Sequence, residues 1–108
     1  MITFKHGVEF SKVHPALLRG LADLADLLPG TVVVTSGTDG KHMAGSFHYE
    51  GRAVDVRSKH LAPEKVEPVV RAFRATHDLE YDLLWEYVGT SNEHLHLEYD
   101  PKEIGNVL

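Results

Sequence analysis

Two segments of the chain carry apolar residues at the spacing of an α-helix. Residues 15–28 read PALLRGLADLADLL, with Pro15 acceptable in a first turn and a Pro-Gly pair following as a stop signal. Its apolar stripe consists of Leu17, Leu21, Leu24 and Leu28. A second helix is predicted within 63–76, where Pro68 either kinks the helix or lies near its start. Its apolar face consists of Val66, Val69, Val70 and Phe73.

Four shorter segments have the apolar patterns of β-strands. They are residues 31–36 (TVVVTS), 52–57 (RAVDVR), 81–88 (YDLLWEYV) and 93–99 (EHLHLEY). The first is a β-branched run typical of a buried strand, and alternation is clear in the second and the last. Because side chains alternate between the faces of a strand, residues such as Val54 and Leu95 are expected to face the core. The residues expected on the opposite face are Ala53, Asp55, Arg57, His94, His96 and Glu98.

The order helix, strand, strand, helix, strand, strand predicts a compact α+β domain. With 108 residues, 43% of them apolar, the chain suits a single domain, residues 1–108, with its core at about 14–100. Residues 101–108 are expected to form a loosely attached tail. The glycine-containing segment 37–46 (GTDGKHMAGS) has no periodicity and is predicted to be a functional or mobile loop.

Composition excludes several classes of function. The chain has no cysteine, so disulfides and thiolate metal sites are ruled out. A net charge of −5, without a cluster of basic residues, argues against a nucleic-acid partner. No apolar run approaches the roughly 18 residues that a membrane span requires, so no membrane insertion is expected. The opening residues, MITFKHGVEFSK, lack the features of a secretory signal, which predicts synthesis in the cytoplasm. Nothing in the pattern specifies an oligomeric state.

Histidine is unusually frequent, with eight residues in the chain. A metal site without thiolates needs imidazole and carboxylate ligands, and His48, Asp55 and His96 could supply them if their strands are neighbours. An alternative is that the two histidines of HLH lie on a solvated strand face. Asp55 inside a strand needs compensation for its buried charge. Either Arg57 on the same face or a metal ion could provide that compensation.

The stretch SFHYEGRAVD at residues 46–55 resembles the S-x-H-x-x-G-x-A-x-D signature of a family of zinc peptidases. These are the D-alanyl-D-alanine carboxypeptidases and dipeptidases, together with the L-alanyl-D-glutamate endolysins of bacteriophages, in the superfamily that includes hedgehog domains. The His94-Leu-His96 pair also resembles the family's second motif. The resemblance covers roughly residues 31–99 and implies a small α+β fold with two helices packed on a central antiparallel β-sheet.

By position, the resemblance implies that His48, Asp55 and His96 hold one zinc ion. His94 is then expected to contact the reacting oxygen or the substrate. Glu93, three residues before the last ligand, is the expected general base, with Glu86 in reserve. Zinc lowers the pKa of a water molecule, and a carboxylate can accept the proton and pass it to the leaving amine.

Further residues are expected to support the ligands or bind substrate. The Ser46 hydroxyl and Arg57 lie close enough in sequence to the ligands for such roles, and Gly51 permits a backbone angle that a Cβ would block. Many relatives carry an arginine just after the Ser-Gly pair that ends the first core strand. Here Ser36-Gly37 is followed by TDGKH, so Lys41 or His42 would have to supply the positive group.

The expected function is therefore zinc-dependent hydrolysis of a peptide bond in peptidoglycan stem peptides, by an enzyme released by a holin or carried in a virion. The alternative is a zinc-binding module of the same fold that no longer catalyses. The cleaved bond and the retention of activity without the usual arginine are left open by the sequence.

Overall fold

The computed structural model describes residues 1–10, 12–38, 45–48 and 50–102. Its elements are β1 (Ile2–Phe4), α1 (Pro15–Leu27), β2 (Val32–Ser36), β3 (Ala53–Arg57), α2 (Pro63–His77), β4 (Tyr81–Glu86) and β5 (His94–Tyr99). The predicted α+β class is confirmed, because two helices pack on one five-stranded sheet. Both helices and the four predicted strands lie where apolar spacing placed them, except that α2 ends one residue later than predicted, at His77.

The strands are arranged in the order β1-β2-β3-β5-β4. Strands β2 to β5 pair in the antiparallel sense, as predicted. The edge strand β1 was not predicted, and it pairs parallel to β2, so that the sheet is mixed. Its three residues are too few to show a periodic pattern. In the sheet, Ile2 pairs with Val32, which lies far along the chain.

The two helices begin with the local chemistry that helix starts require. The imidazole Nδ1 of His14 accepts a hydrogen bond from the backbone N–H of Ala16 at 3.0 Å, which caps α1. Helix α2 has Pro63 in its first turn, where a missing N–H costs nothing. Pro68 lies inside this helix, so of the two alternatives its position near the helix start is wrong. Within the described residues, neither helix combines the length and the apolar character needed to cross a bilayer.

Apolar side chains from both helices and from one face of the sheet form a single core. The helices contribute Leu17, Leu21, Leu24, Val66, Val70 and Phe73, and the strands contribute Val34, Val54, Val56, Leu83, Leu95 and Leu97. We call the sheet surface that packs against the helices the covered face. Because neighbouring strand residues point to opposite sides, the other surface, the open face, carries the alternating polar residues of β3, β4 and β5. On it lie Asp55, Arg57, Leu84, Glu86, His94, His96 and Glu98.

The last described residue, Lys102, is bound to residues at the start of β4 and just before it. The backbone N–H of Lys102 donates to the carbonyl of Leu79 at 2.8 Å, and its amine donates to Asp82 at 2.9 Å. The rest of the predicted tail, 103–108, lies outside the described residues.

Candidate metal centre

The register of the two central strands places two of the predicted ligands side by side. Asp55 on β3 is the direct partner of His96 on β5, and both side chains lie on the open face. Cross-strand partners in a sheet have Cβ atoms only about 5 Å apart. The third residue, His48, lies in the turn that precedes β3 and is buried.

The turn holding His48 depends on two small residues, as the sequence predicted. The Ser46 hydroxyl accepts a hydrogen bond from the backbone N–H of His48 at 3.2 Å. Gly51 has a φ of 70° and donates its N–H to the His48 carbonyl at 3.1 Å. A Cβ at Gly51 would collide with the backbone carbonyl of Lys12. A larger residue at this position would therefore displace the turn and the His48 ring with it.

Three side-chain atoms converge at the centre of the open face. Nε2 of His48 lies 3.2 Å from Oδ1 of Asp55 and 3.2 Å from Nδ1 of His96, and the last two atoms are 3.0 Å apart. Ligand atoms about 2.0–2.1 Å from a tetrahedral zinc ion lie roughly 3.3–3.4 Å from one another. The predicted grouping is confirmed, and these three residues, which we call the triad, could hold a metal ion.

The outer nitrogen of each imidazole has a hydrogen-bond acceptor. Nδ1 of His48 lies 2.8 Å from the carbonyl oxygen of Gly37, and Nε2 of His96 lies 2.7 Å from Oε1 of Glu98. A neutral ring that donates through its outer nitrogen presents a lone pair at its inner nitrogen. Metal-bound histidines are usually held in this way by a carbonyl or a carboxylate. The outer contacts therefore orient both rings for a cation in the middle.

The electrostatics of the triad show how strongly it attracts positive charge. Burial raises the pKa of Asp55, but hydrogen bonds from His48 and His96 and the nearby imidazoles outweigh this and hold it far below its usual range. Burial lowers the pKa of His96, whereas Asp55 and Glu98 raise it, for a net value of about 9. In the metal-free protein the protonated form of His96 is therefore favoured at neutral pH. Its proton supplies the positive charge that a metal ion would otherwise supply beside Asp55.

His94 lies beside the triad on the same face, as expected. Its Nε2 is 3.6 Å from Oδ1 of Asp55 and 3.0 Å from Oε1 of Glu86, and its Nδ1 is 2.8 Å from the carbonyl of Asn92. The reserve carboxylate, Glu86, thus reaches the site through His94. Tyr87, next along the chain, has a φ of 54°, and its exposed ring lies 5.8 Å from that of His94.

Glu93, the predicted general base, is hydrogen-bonded to residues outside the triad. Its carboxylate accepts hydrogen bonds from the Gly89 N–H at 2.9 Å, the Ser58 hydroxyl at 2.7 Å and the Trp85 indole N–H at 3.1 Å. The Gly89 bond, aided by the other two against the effect of burial, lowers the pKa of Glu93. Within the part of the chain that the structure describes, Glu93 forms no hydrogen bond to the triad. These contacts tie the connection between β4 and β5 to the end of β3.

The remaining predicted site residues are placed as follows. Among the described residues Arg57 forms no ion pair or hydrogen bond through its side chain, so the imidazoles, and not Arg57, compensate Asp55. Lys41 and His42 lie outside the described residues.

Two partners of the triad were not predicted, Glu98 and the Gly37 carbonyl. The alternation in HLHLE correctly placed Glu98 on the strand face of His96, but the hydrogen bond between the two side chains was not predicted. A second acidic group, formed by Asp82, Glu98 and Asp100, also has the spacing of metal ligands. The Lys102 amine already lies 2.9 Å from Asp82 and 3.5 Å from Asp100, so this group has its own cation.

Comparisons of the chain with protein-family models and with curated proteins give no match. The case for a metal centre therefore depends on the distances within the triad, on its outer hydrogen bonds and on its open position on the sheet.

Proposed function

We propose that this protein is a zinc-dependent peptidase that hydrolyses a peptide bond in peptidoglycan stem peptides, of the D-Ala-D-Ala or L-Ala-D-Glu type. The observation that carries the proposal is the mutual spacing of 3.0–3.2 Å among the triad atoms. The resemblance of residues 46–55 and 94–96 to the zinc-peptidase motifs supplies the substrate class.

The composition of the triad favours a catalytic zinc site. Structural zinc sites are usually closed by four protein ligands, whereas catalytic ones have three and leave a position for water or substrate. The described residues supply two imidazoles and one carboxylate at this point. The side chains of Asp55 and His96 remain 14% and 12% exposed, so a small ligand can reach them. Zinc bound here would polarise a carbonyl group and lower the pKa of water.

Two carboxylates are candidates for accepting the proton. Glu86 shares the open face with the triad and holds His94, which lies next to Asp55, so we propose that this pair contacts the reacting oxygen. Glu93 remains a predicted base, because catalytic hydrogen bonds often form only when substrate is bound. Its three donors give it a structural role in addition.

The activity is tested with tag-free protein, intact peptidoglycan and a panel of stem peptides, with products followed by mass spectrometry. The expected result is cleavage that a chelator stops and zinc restores, and that Asp55→Asn abolishes. The matched control is Asp82→Asn, an aspartate on the same face that pairs with Lys102. Cleavage that survives the chelator or Asp55→Asn would exclude the triad as its source.

The base is tested by comparing Glu86→Gln with Glu93→Gln at equal zinc content. General acid–base groups contribute roughly 10²–10⁴-fold to a rate, and we expect Glu86→Gln to lower kcat by about a hundredfold. If Glu93→Gln keeps its zinc and its fold but loses cleavage, while Glu86→Gln stays active, then Glu93 is the base.

One observation favours a second candidate, a zinc-binding module without catalysis. The carboxylate in the position of the base, Glu93, is already bound by three donors. A protein that takes up zinc stoichiometrically and cleaves none of the peptides would support this second function.

A further inference from the structure

A cavity of about 250 Å³ lies where β3 ends and β5 begins, and one of its lining residues, His94, lies 3.6 Å from Asp55 of the triad. The residues that line it include Lys5, Thr35, Arg57, Lys59, Glu93 and His94. Its volume is several times the ~30 Å³ that a water molecule takes in the liquid. It can therefore hold a small group from a ligand whose other part lies at the triad.

Among the residues that the structure describes, the positive side chains of the cavity have no negative partners. Nε of Arg57 is buried and has no hydrogen-bond acceptor among the described residues. The Lys59 amine donates to the backbone carbonyl of Ser91, at 3.2 Å. Within the described ranges, none of Lys5, Arg57 and Lys59 forms an ion pair with a carboxylate. A buried polar N–H without an acceptor is costly, so an acceptor brought by a ligand would be bound favourably.

Glu93 is the one acidic residue among the described residues that line the cavity, and its single charge does not balance the three positive side chains. Glu93 is bound by the Ser58 hydroxyl, the Trp85 indole and the Gly89 N–H. These neutral donors stabilise the carboxylate without cancelling its charge, so the lining residues carry three positive groups against one negative group. The balance of charge in the cavity remains positive, which suits an anion.

We propose that the group formed by Lys5, Arg57 and Lys59, the cationic cavity, binds the terminal carboxylate of the peptide substrate. An arginine presents a planar fork of donors that matches both oxygens of a carboxylate. The proposal deepens the proposed function and rests on it, since it makes the enzyme one that removes the last residue of a peptide.

The distance from the triad fits this role. Arg57 lies two residues after Asp55 on the same face of β3, a rise of about 6.5 Å along a strand. A terminal carboxylate lies one residue beyond the preceding carbonyl, which is about 3.5 Å of extended chain. The length of the arginine side chain covers the remaining distance, so a peptide can place that carbonyl at the triad and its carboxylate at Arg57.

Binding is tested apart from catalysis by NMR titration of ¹⁵N-labelled, zinc-loaded protein with N-acetyl-D-alanine and with its amide. We expect the acid to shift the Arg57 Nε–H signal and to bind at least about tenfold more tightly than the amide, as a charge-assisted pair requires. Arg57→Gln should remove this preference. Arg71→Gln, which changes an exposed arginine paired with Glu67 on α2, should leave it intact.

Equal binding of acid and amide, or unchanged binding of the acid by Arg57→Gln, would overturn the proposal. If Arg57→Gln does not fold, the Arg57 signal in the wild-type protein still decides, because it must shift with the acid and stay with the amide. An amidated peptide with a D-glutamate side chain supplies the other source of a carboxylate. If it shifts the signal as strongly as the acid, the proposed preference for the terminal group is wrong.

Cleavage assays separate this proposal from the proposed function. Peptides ending in free D-alanine should be cleaved with a kcat/KM at least about tenfold higher than their amides. Equal cleavage of both would leave the peptidase standing and overturn the role of the cationic cavity. Binding of the acid at Arg57 without any cleavage would confirm the cavity and overturn the peptidase.

Discussion

The two faces of the sheet use the same strands for opposite purposes. On the covered face, Val54, Val56, Leu95 and Leu97 are buried against the helices. On the open face, the alternating residues of the same strands include Asp55, His94 and His96, and both histidines lie close to the Asp55 carboxylate. A buried apolar face stabilises the fold, whereas a face that concentrates imidazoles and carboxylates provides a group that could hold a metal ion. Along β3 and β5, residues that stabilise the core thus alternate with residues that form the candidate site.

The largest expected contrast is between neighbours on β4. Leu83 points into the core and is 1% exposed, whereas Leu84 lies on the open face and is 41% exposed. We expect Leu83→Ala to lower the free energy of unfolding by about 2–5 kcal/mol because it leaves a cavity. Leu84→Ala should change it by less than about 1 kcal/mol. Urea denaturation measures both, and similar losses for the two variants would contradict the division into two faces.

Glu93 is a polar exception among the buried residues, and its removal should be the next largest effect. Glu93→Gln replaces one acceptor oxygen with an amide group that faces existing donors. We expect a loss of about 1–3 kcal/mol in the free energy of unfolding at neutral pH, the usual cost of an unsatisfied buried polar group. The exposed Glu64→Ala on α2 serves as the control. If Glu93→Gln has the same free energy of unfolding as wild type, the three donors do not anchor the connection between β4 and β5.

Glu98 should affect the metal centre more than the fold. It holds Nε2 of His96 at 2.7 Å, and the loss of such an outer partner usually lowers metal affinity by about 10- to 100-fold. We expect Glu98→Ala to weaken zinc binding by about tenfold, measured by competition with a chromogenic chelator. Glu64→Ala again serves as the control, and an unchanged affinity in Glu98→Ala would remove Glu98 from the site.

The smallest effect is a difference in pH dependence. Since the folded-state pKa of Glu93 is lowered from its ordinary value of 4.5, its contribution is present above pH 4.5 and disappears as the pH falls through the folded pKa. The stability difference between wild type and Glu93→Gln should therefore shrink on acidification. The difference between wild type and Leu83→Ala should persist in the same titration. A constant difference for Glu93→Gln would show that its pKa is not lowered by folding.

The covered face was the easier part of the molecule to predict from the sequence. Leucines at helical spacing and β-branched runs report burial directly, because burial of apolar side chains forms these elements. Strand β1 escaped prediction because it is short and only Ile2 packs against the core. Its presence also depends on pairing with Val32, which no local pattern records.

On the open face, motif spacing identified the triad but not its surroundings. His48, Asp55 and His96 were grouped correctly, because their residue types are those of metal ligands. The Gly37 carbonyl that orients His48 is a backbone group, and any residue would supply one. The cationic cavity joins Lys5, Arg57 and Lys59, and Lys5 follows the unpredicted β1. Such a group appears only when the strands are assembled.

The most direct test of the account is the zinc content and zinc affinity of tag-free protein, measured by elemental analysis and calorimetry for wild type, Asp55→Asn and Asp82→Asn. The triad predicts about one zinc ion per chain for wild type and Asp82→Asn. Asp55→Asn should lose more affinity than the ~10- to 100-fold caused by losing an outer partner. Wild-type protein that takes up no zinc, or Asp55→Asn that binds it as wild type does, would contradict the metal centre.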